Sequence, residues 1–222
     1  MSEAVRGPQI LVLAGTNGAG KSSIGGALLR HRHGDYFNPD EATRRIMEGN
    51  VGMSLNEANS LAWHEGKRLL EEAIEHRKHF AFETTLGGKT ITRLLKKAAE
   101  EGMELRIWFA GLDSPETHIE RVKLRAEKGG HAIPEDKIRA RFDLSRRNLV
   151  ELIPLAAELS VYDNSFDADP ATGTPPRPRL LLRMKDGRII APGSGNLEET
   201  PKWARPIVMA AMRCHLARKS ND

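Results

Sequence analysis

The chain has 222 residues, 34 Lys and Arg against 30 Asp and Glu, and a formal net charge of +4; that length suits one α/β core without disulfide or metal staples, and charges so evenly mixed do not by themselves mark a nucleic-acid binder. A single cysteine, Cys214, excludes an internal disulfide, and no apolar run reaches the roughly 18 residues that cross a bilayer. The first residues lack the apolar segment of a secretory signal, so the expectation is a cytoplasmic protein with no membrane span.

Residues 9–14, Gln-Ile-Leu-Val-Leu-Ala, form a nearly continuous apolar run, the pattern of a strand buried on both faces of a parallel sheet. A glycine-rich turn follows directly, and 22–30 then carries Ile24, Ala27 and Leu28 at helical spacing. The chain is expected back at the C-terminal edge of the sheet near 36–41. A helix is predicted over 54–77, where Leu55, Ala58, Leu61, Ala62, Leu69 and Ala73 make a stripe and Ser54 with Glu57 makes a capping box. Further along come a strand at 80–84, a helix at 90–101 stopped by Gly102, a strand at 104–111, and a helix opened by Ser114 and Pro115.

Gly129 and Gly130 break the pattern, a helix is predicted over 135–159 with an interruption at Pro154, and 160–163 reads as the last core strand. Residues 166–178, rich in Pro, Asp and Thr, have linker composition; 179–184 and 188–191 flank Lys185-Asp186-Gly187 as a hairpin, and 198–217 closes the chain as a helix kinked at Pro206. Alternating strands and helices imply a mostly parallel sheet flanked by helices, and with the spacing GxxxxGK[ST] at residues 15–22 the expected fold class is an α/β P-loop NTPase of the nucleoside-monophosphate-kinase type. The expected organisation is a domain at 1–165 containing a lid at 121–147, a linker at 166–178, and an extension at 179–222 packed on the same domain.

The turn spells Gly15-Thr16-Asn17-Gly18-Ala19-Gly20-Lys21-Ser22, which meets the spacing GxxxxGK[ST] in full and is followed by Ser23. Its glycines let successive backbone N–H groups converge on phosphates, Lys21 reaches the β- and γ-phosphates, and the Ser22 hydroxyl is a ligand for Mg²⁺. ATP·Mg²⁺ is therefore the expected cofactor. GTPases, motors and kinases share this cradle, so the acceptor side has to separate them.

On that side Asp40, in Asn38-Pro39-Asp40, is the candidate base, with helix capping as its plainer use. Glu83, Thr84 and Thr85 end a strand where ligands gather in open α/β sheets, although the two threonines could equally cap a turn. Basic residues crowd between 121 and 147 around the two glycines, and a lid of this composition could bring Arg121, Arg125 or Arg139 to a transferring phosphoryl group.

With the cradle, Asn38-Pro39-Asp40, Glu83-Thr84-Thr85, the 121–125 segment, Gly129-Gly130-His131-Ala132-Ile133-Pro134-Glu135 and Tyr162-Asp163-Asn164-Ser165 in this order, the chain resembles the chromosomal branch of the zeta toxin family of P-loop kinases over about residues 10–165. The resemblance implies phosphorylation of a sugar hydroxyl of UDP-N-acetylglucosamine, and a small antitoxin as partner. It implies that Lys21 and Ser22 contact phosphate and Mg²⁺, that Asp40 is the catalytic base, and that Glu83 binds the sugar nucleotide beside Asn38, Thr84, Thr85 and His131. His131 stands where these toxins tend to carry an arginine, which leaves the lid cation to Arg125, Arg121 or Arg139. Two other readings are a polynucleotide 5′-kinase, against which stand an aromatic content of 5% and a lid without stacking residues, and a non-catalytic ATP-binding module.

Overall fold

The computed structural model describes residues 7–21, 24–25, 36–130, 132–166, 178–191 and 199–220. Seven strands form one sheet in the order β2-β3-β1-β4-β5-β6-β7: β1 (Gln9–Ala14), β2 (Tyr36–Phe37), β3 (Phe80–Thr84), β4 (Glu104–Gly111), β5 (Glu158–Asp163), β6 (Arg179–Lys185) and β7 (Arg188–Ala191). β1 lies at the centre of a parallel array, paired with β3 on one side and β4 on the other. Its apolar run has a direct physical use: Ile10, Val12 and Ala14 enter the main core on one face, while Leu11 and Leu13 pack with Ala81 and Trp108 on the other. The C-terminal ends of β1 and β3 therefore lie side by side, with Ala14 opposite Thr84.

Six helices are described: α1 (Pro39–Gly49), α2 (Leu55–Glu75), α3 (Lys89–Glu100), α4 (Pro115–Glu127), α5 (Glu135–Leu152) and α6 (Arg205–Lys219). Their local signals act as expected. Ser54 and Glu57 complete the reciprocal capping box at the start of α2, Ser114 caps α4 with Pro115 behind it, and Gly102 follows α3 at φ 78. Asp186 and Gly187, both at positive φ, turn β6 into β7, the geometry a two-residue hairpin favours.

Three expectations are corrected, and the return of the chain to the sheet near 36–41 is made specific. The cap of α1 is Asn38, whose Oδ1 accepts from the backbone N–H groups of Asp40 and Glu41; Asp40 is itself in the first turn and makes no cap. Residues 36–37 are a strand, too short for any periodicity to announce. α5 ends at Leu152 because Pro154 cannot continue it, a short 3₁₀ turn follows, and β5 begins at Glu158. α6 begins at Arg205, so Pro206 sits in its first turn, where a missing N–H costs nothing and no kink is needed. The helix predicted at 22–30 and the linker at 166–178 lie largely outside the described residues.

β6 adds to β5 in antiparallel fashion and β7 to β6, so the C-terminal hairpin continues the sheet. Trp203, Ala204, Ile207 and Ala211 belong to the same core cluster as β1. The Trp203 ring covers Gly111 so closely that a Cβ there would lie 2.3 Å from it. Among the described residues no helix is long and apolar enough to cross a membrane.

Candidate active site

The turn after β1 takes the shape its glycines allow. Gly15, Gly18 and Gly20 have φ of 142, 82 and 78, a region that side chains disfavour. Space forbids side chains as well: a Cβ would lie 2.2 Å from Ala110 O at Gly15, 2.8 Å from His118 O at Gly18 and 2.2 Å from Asn164 Nδ2 at Gly20. Lys21 Nζ donates to Gly15 O at 2.9 Å, closing the loop on itself. Burial pulls the pKa of the Lys21 ammonium down, and the carboxylates of Glu83 and Asp40 push it back up.

Residues far away in sequence brace the loop. Asn164 Nδ2 donates to Ala19 O at 3.0 Å, Thr16 Oγ1 lies 3.1 Å from Ser145 Oγ, and Arg141 Nη1 donates to Asn17 Oδ1 at 2.7 Å. His118, buried under the loop, lies with Nδ1 2.7 Å from the Asn17 carbonyl oxygen; since that oxygen only accepts, Nδ1 carries the hydrogen. Burial pushes the His118 pKa down to about 4, so the ring is neutral at physiological pH. An unfolded histidine titrates near 6.5, so between these values the unfolded chain binds a proton that the native one refuses. The stabilising contribution is complete above pH 6.5 and is lost as pH falls toward 4. From pH 7 to pH 5 His118 is expected to remove about 2 kcal/mol of stability, and urea unfolding at the two pH values should lose that component in His118→Phe.

The acceptor side is assembled by Asn38. Its Oδ1 caps α1 while its Nδ2 donates to Glu83 Oε1 at 3.2 Å, and the Tyr36 hydroxyl donates to the same oxygen. One amide thus fixes the start of α1, which carries Asp40, to the end of β3, which carries the buried Glu83. The Asp40 carboxylate, left out of the cap, is half-exposed and lies 3.4 Å from Arg125 Nη1 of α4. Thr84 and Thr85 accept from the N–H groups of Leu86 and Gly87, and Leu86 is buried at φ 53.

Two adjoining hollows hold these groups. The first, about 280 Å³, is lined by Asn17, Gly18, Gly20, Lys21, Asn38, Asp40, Glu83, Thr84, Thr85, Arg121 and Arg125. The second, about 570 Å³, shares Asn17, Asp40, Glu83, Thr84, Thr85 and Arg125 with it and runs on past Arg141 to Asn56, Asn59, Trp63 and Lys67 of α2. Gly15, Thr16 and Ala19 form the loop's buried underside. Arg139 pairs with Glu116 and lines neither hollow. Ser22, Ser23 and His131 lie outside the described residues.

His118, Arg141, Ser145 and Asn148 were not singled out for the site by sequence reasoning. For the last three a signal existed: they recur at helical spacing on α5 beside Phe142 and Leu149, which puts polar groups on a face that also enters the core. His118 had no such signal.

The arrangement can cradle phosphates with backbone N–H groups, neutralise them with Lys21 and Arg125, and present two carboxylates to a neighbouring group. The family model described as Zeta toxin matches residues 2–165. A Haemophilus influenzae protein described as uncharacterized is 30% identical over 133 residues, covering 58% of this chain and 88% of that one. Among solved structures, the native AvrRxo1-ORF1:-ORF2 complex is similar with a TM-score of 0.64 at 14% identity, covering 94% of this chain and 71% of that one. AvrRxo1-ORF1:-ORF2 with ATP gives a TM-score of 0.61, 14% identity, and coverage of 94% and 77%. At that identity the likeness is one of fold.

Proposed function

Because the chain belongs to the zeta toxin family of P-loop kinases, whose activity class is ATP-dependent phosphoryl transfer, we propose that it passes the γ-phosphate of ATP to a hydroxyl of a nucleotide-sugar such as UDP-N-acetylglucosamine. The observation that carries this reading is that the phosphate loop, Asp40 and Glu83 line one hollow. In the transfer, the acceptor oxygen bonds to the γ-phosphorus as the bond from that phosphorus to the β–γ bridging oxygen breaks, and the hydroxyl proton passes to the Asp40 carboxylate. ADP leaves. Lys21 and Arg125 offset the charge spreading over the transferring group, and Glu83 accepts a hydrogen bond from a substrate hydroxyl. Mg²⁺ would be held by Ser22 together with the phosphates and would supply further charge neutralisation. ATP as donor is in keeping with the solved neighbour of the same fold that contains it.

A nucleotide-sugar is favoured over a smaller alcohol by the second hollow. Trp63 lines it with an indole that is 44% exposed, a platform on which a planar base can stack, and Asn56, Asn59 and Lys67 nearby can bond to base edges and phosphates. Incubation with ATP, Mg²⁺ and a panel of nucleotide-sugars should yield a phosphorylated product. Trp63→Ala is expected to raise the acceptor KM by about 10-fold, a typical loss for one stacking contact, with kcat little changed. Product from a 5′-hydroxyl oligonucleotide and none from the sugar panel would replace this acceptor with a polynucleotide. An antitoxin-like partner is proposed on the family relationship and on the neighbour solved as a two-protein complex.

A further inference from the structure

Arg141, Ser145 and Asn148 lie at i, i+4 and i+7 of α5 and so share one face. Ser145 and Asn148 are buried, and buried polar groups need partners. Theirs come from two loops that follow different strands. Ser145 Oγ meets Thr16 of the phosphate loop at 3.1 Å, whereas Asn148 Nδ2 donates to Leu86 O at 2.7 Å in the loop after β3. The two loops also touch directly, Gly15 N donating to Thr84 O at 3.2 Å.

Arg141 touches both. Its Nη1 donates to Asn17 Oδ1 at 2.7 Å, and its aliphatic stem covers Gly87 so closely that a Cβ there would lie 2.8 Å from Arg141 Cγ. The second loop also carries Leu86 at φ 53, a conformation that persists only where the surroundings impose it, and Asn148 holds its carbonyl. We infer that Arg141 and Asn148 are positioning residues that clamp the 84–88 loop to the phosphate loop, so that the acceptor side and the nucleotide side report on one another through α5. This rests on the kinase reading only in taking the loop around Asn17 as the nucleotide site, and it does not depend on which acceptor is used.

The test is a double-mutant cycle on the full chain, with the affinity for ADP in the presence of Mg²⁺ measured by calorimetry. Gly87→Ala adds one methyl to the acceptor-side loop and should nevertheless weaken ADP binding about fivefold, by displacing Arg141 from Asn17. Arg141→Met should weaken it to a similar extent, and the double variant should be no worse than the weaker single one, the non-additivity expected of groups acting through one contact. A silent Gly87→Ala, or effects that multiply, would overturn the clamp while leaving the kinase reading intact; a wild-type chain that does not bind ADP would overturn the kinase reading itself. If Gly87→Ala does not fold, hydrogen exchange reads the coupling from the other side: Arg141→Met should speed exchange at the Leu86 and Gly87 amides about tenfold, and unchanged exchange would count against the proposal.

Discussion

Asp40→Asn is expected to lower kcat for phosphoryl transfer about a thousandfold, the middle of the range for loss of a positioned general base, while leaving the affinity for ADP nearly unchanged. The variant separates two uses of this residue. Were Asp40 only a helix cap, asparagine would serve equally well in its place and kcat would not change. Asn38 makes that cap, however, and the Asp40 side chain is 52% exposed, so the change should cost no more than about 1 kcal/mol, chiefly from removing a negative charge in the first turn. Asn38→Ala should act first on stability. It removes the cap and leaves the buried Glu83 short of a donor, at a cost of about 2 kcal/mol in stability. Steady-state kinetics with thermal denaturation of both variants provides the check. Full transfer activity in Asp40→Asn would remove Asp40 from the mechanism.

Gly15→Ala is expected to destabilise the fold by about 4 kcal/mol, combining a disfavoured backbone conformation with a steric clash. For a chain of this size that lowers Tm by about 10 °C. Gly15 has φ 142, and the atom its Cβ would meet at 2.2 Å is the Ala110 carbonyl oxygen on the neighbouring strand β4. A strand backbone in mid-sheet cannot swing aside as a long side chain can. Gly49→Ala is the matched control: nothing lies within 4 Å of the position and its φ is unremarkable for a side chain. It should be neutral or slightly stabilising. Equal Tm values for the two variants would mean that β1 and β4 do not approach as described.

The elements that residue order announced best are those whose causes are local. β1 and β4 match their predicted bounds at both ends, and α4 begins at Pro115 behind its Ser114 cap. Hydrophobic pattern and capping chemistry act over a few residues and need no knowledge of the fold. Where tertiary contacts decide, the bounds moved. β5 extends back to Glu158 because β4 and β6 are there to pair with it, and the two residues of β2 are a strand only because β3 lies alongside. The site divides in the same way. Lys21, Asp40, Glu83 and Arg125 were legible from motif and resemblance and do line one hollow. Arg139 and Arg141, two residues apart and indistinguishable as lid arginines, part company: one pairs with Glu116 on the surface, the other reaches Asn17.

Residue order alone announced the phosphate loop, since glycines at 15, 18 and 20 between an apolar strand and Lys21 free the backbone for the positive-φ turns that converge its N–H groups. What sits against that loop was decided by the sheet. The order β3-β1-β4-β5 sets the ends of β3 and β5 and the helix after β4 around the end of β1, and so places Thr84, His118 and Asn164 within hydrogen-bonding distance of turn residues that lie 69, 101 and 145 positions away in sequence. The neutrality of His118 and the reach of Arg141 across two loops follow from that packing, because desolvation and contact depend on neighbours in space, and no local pattern records them.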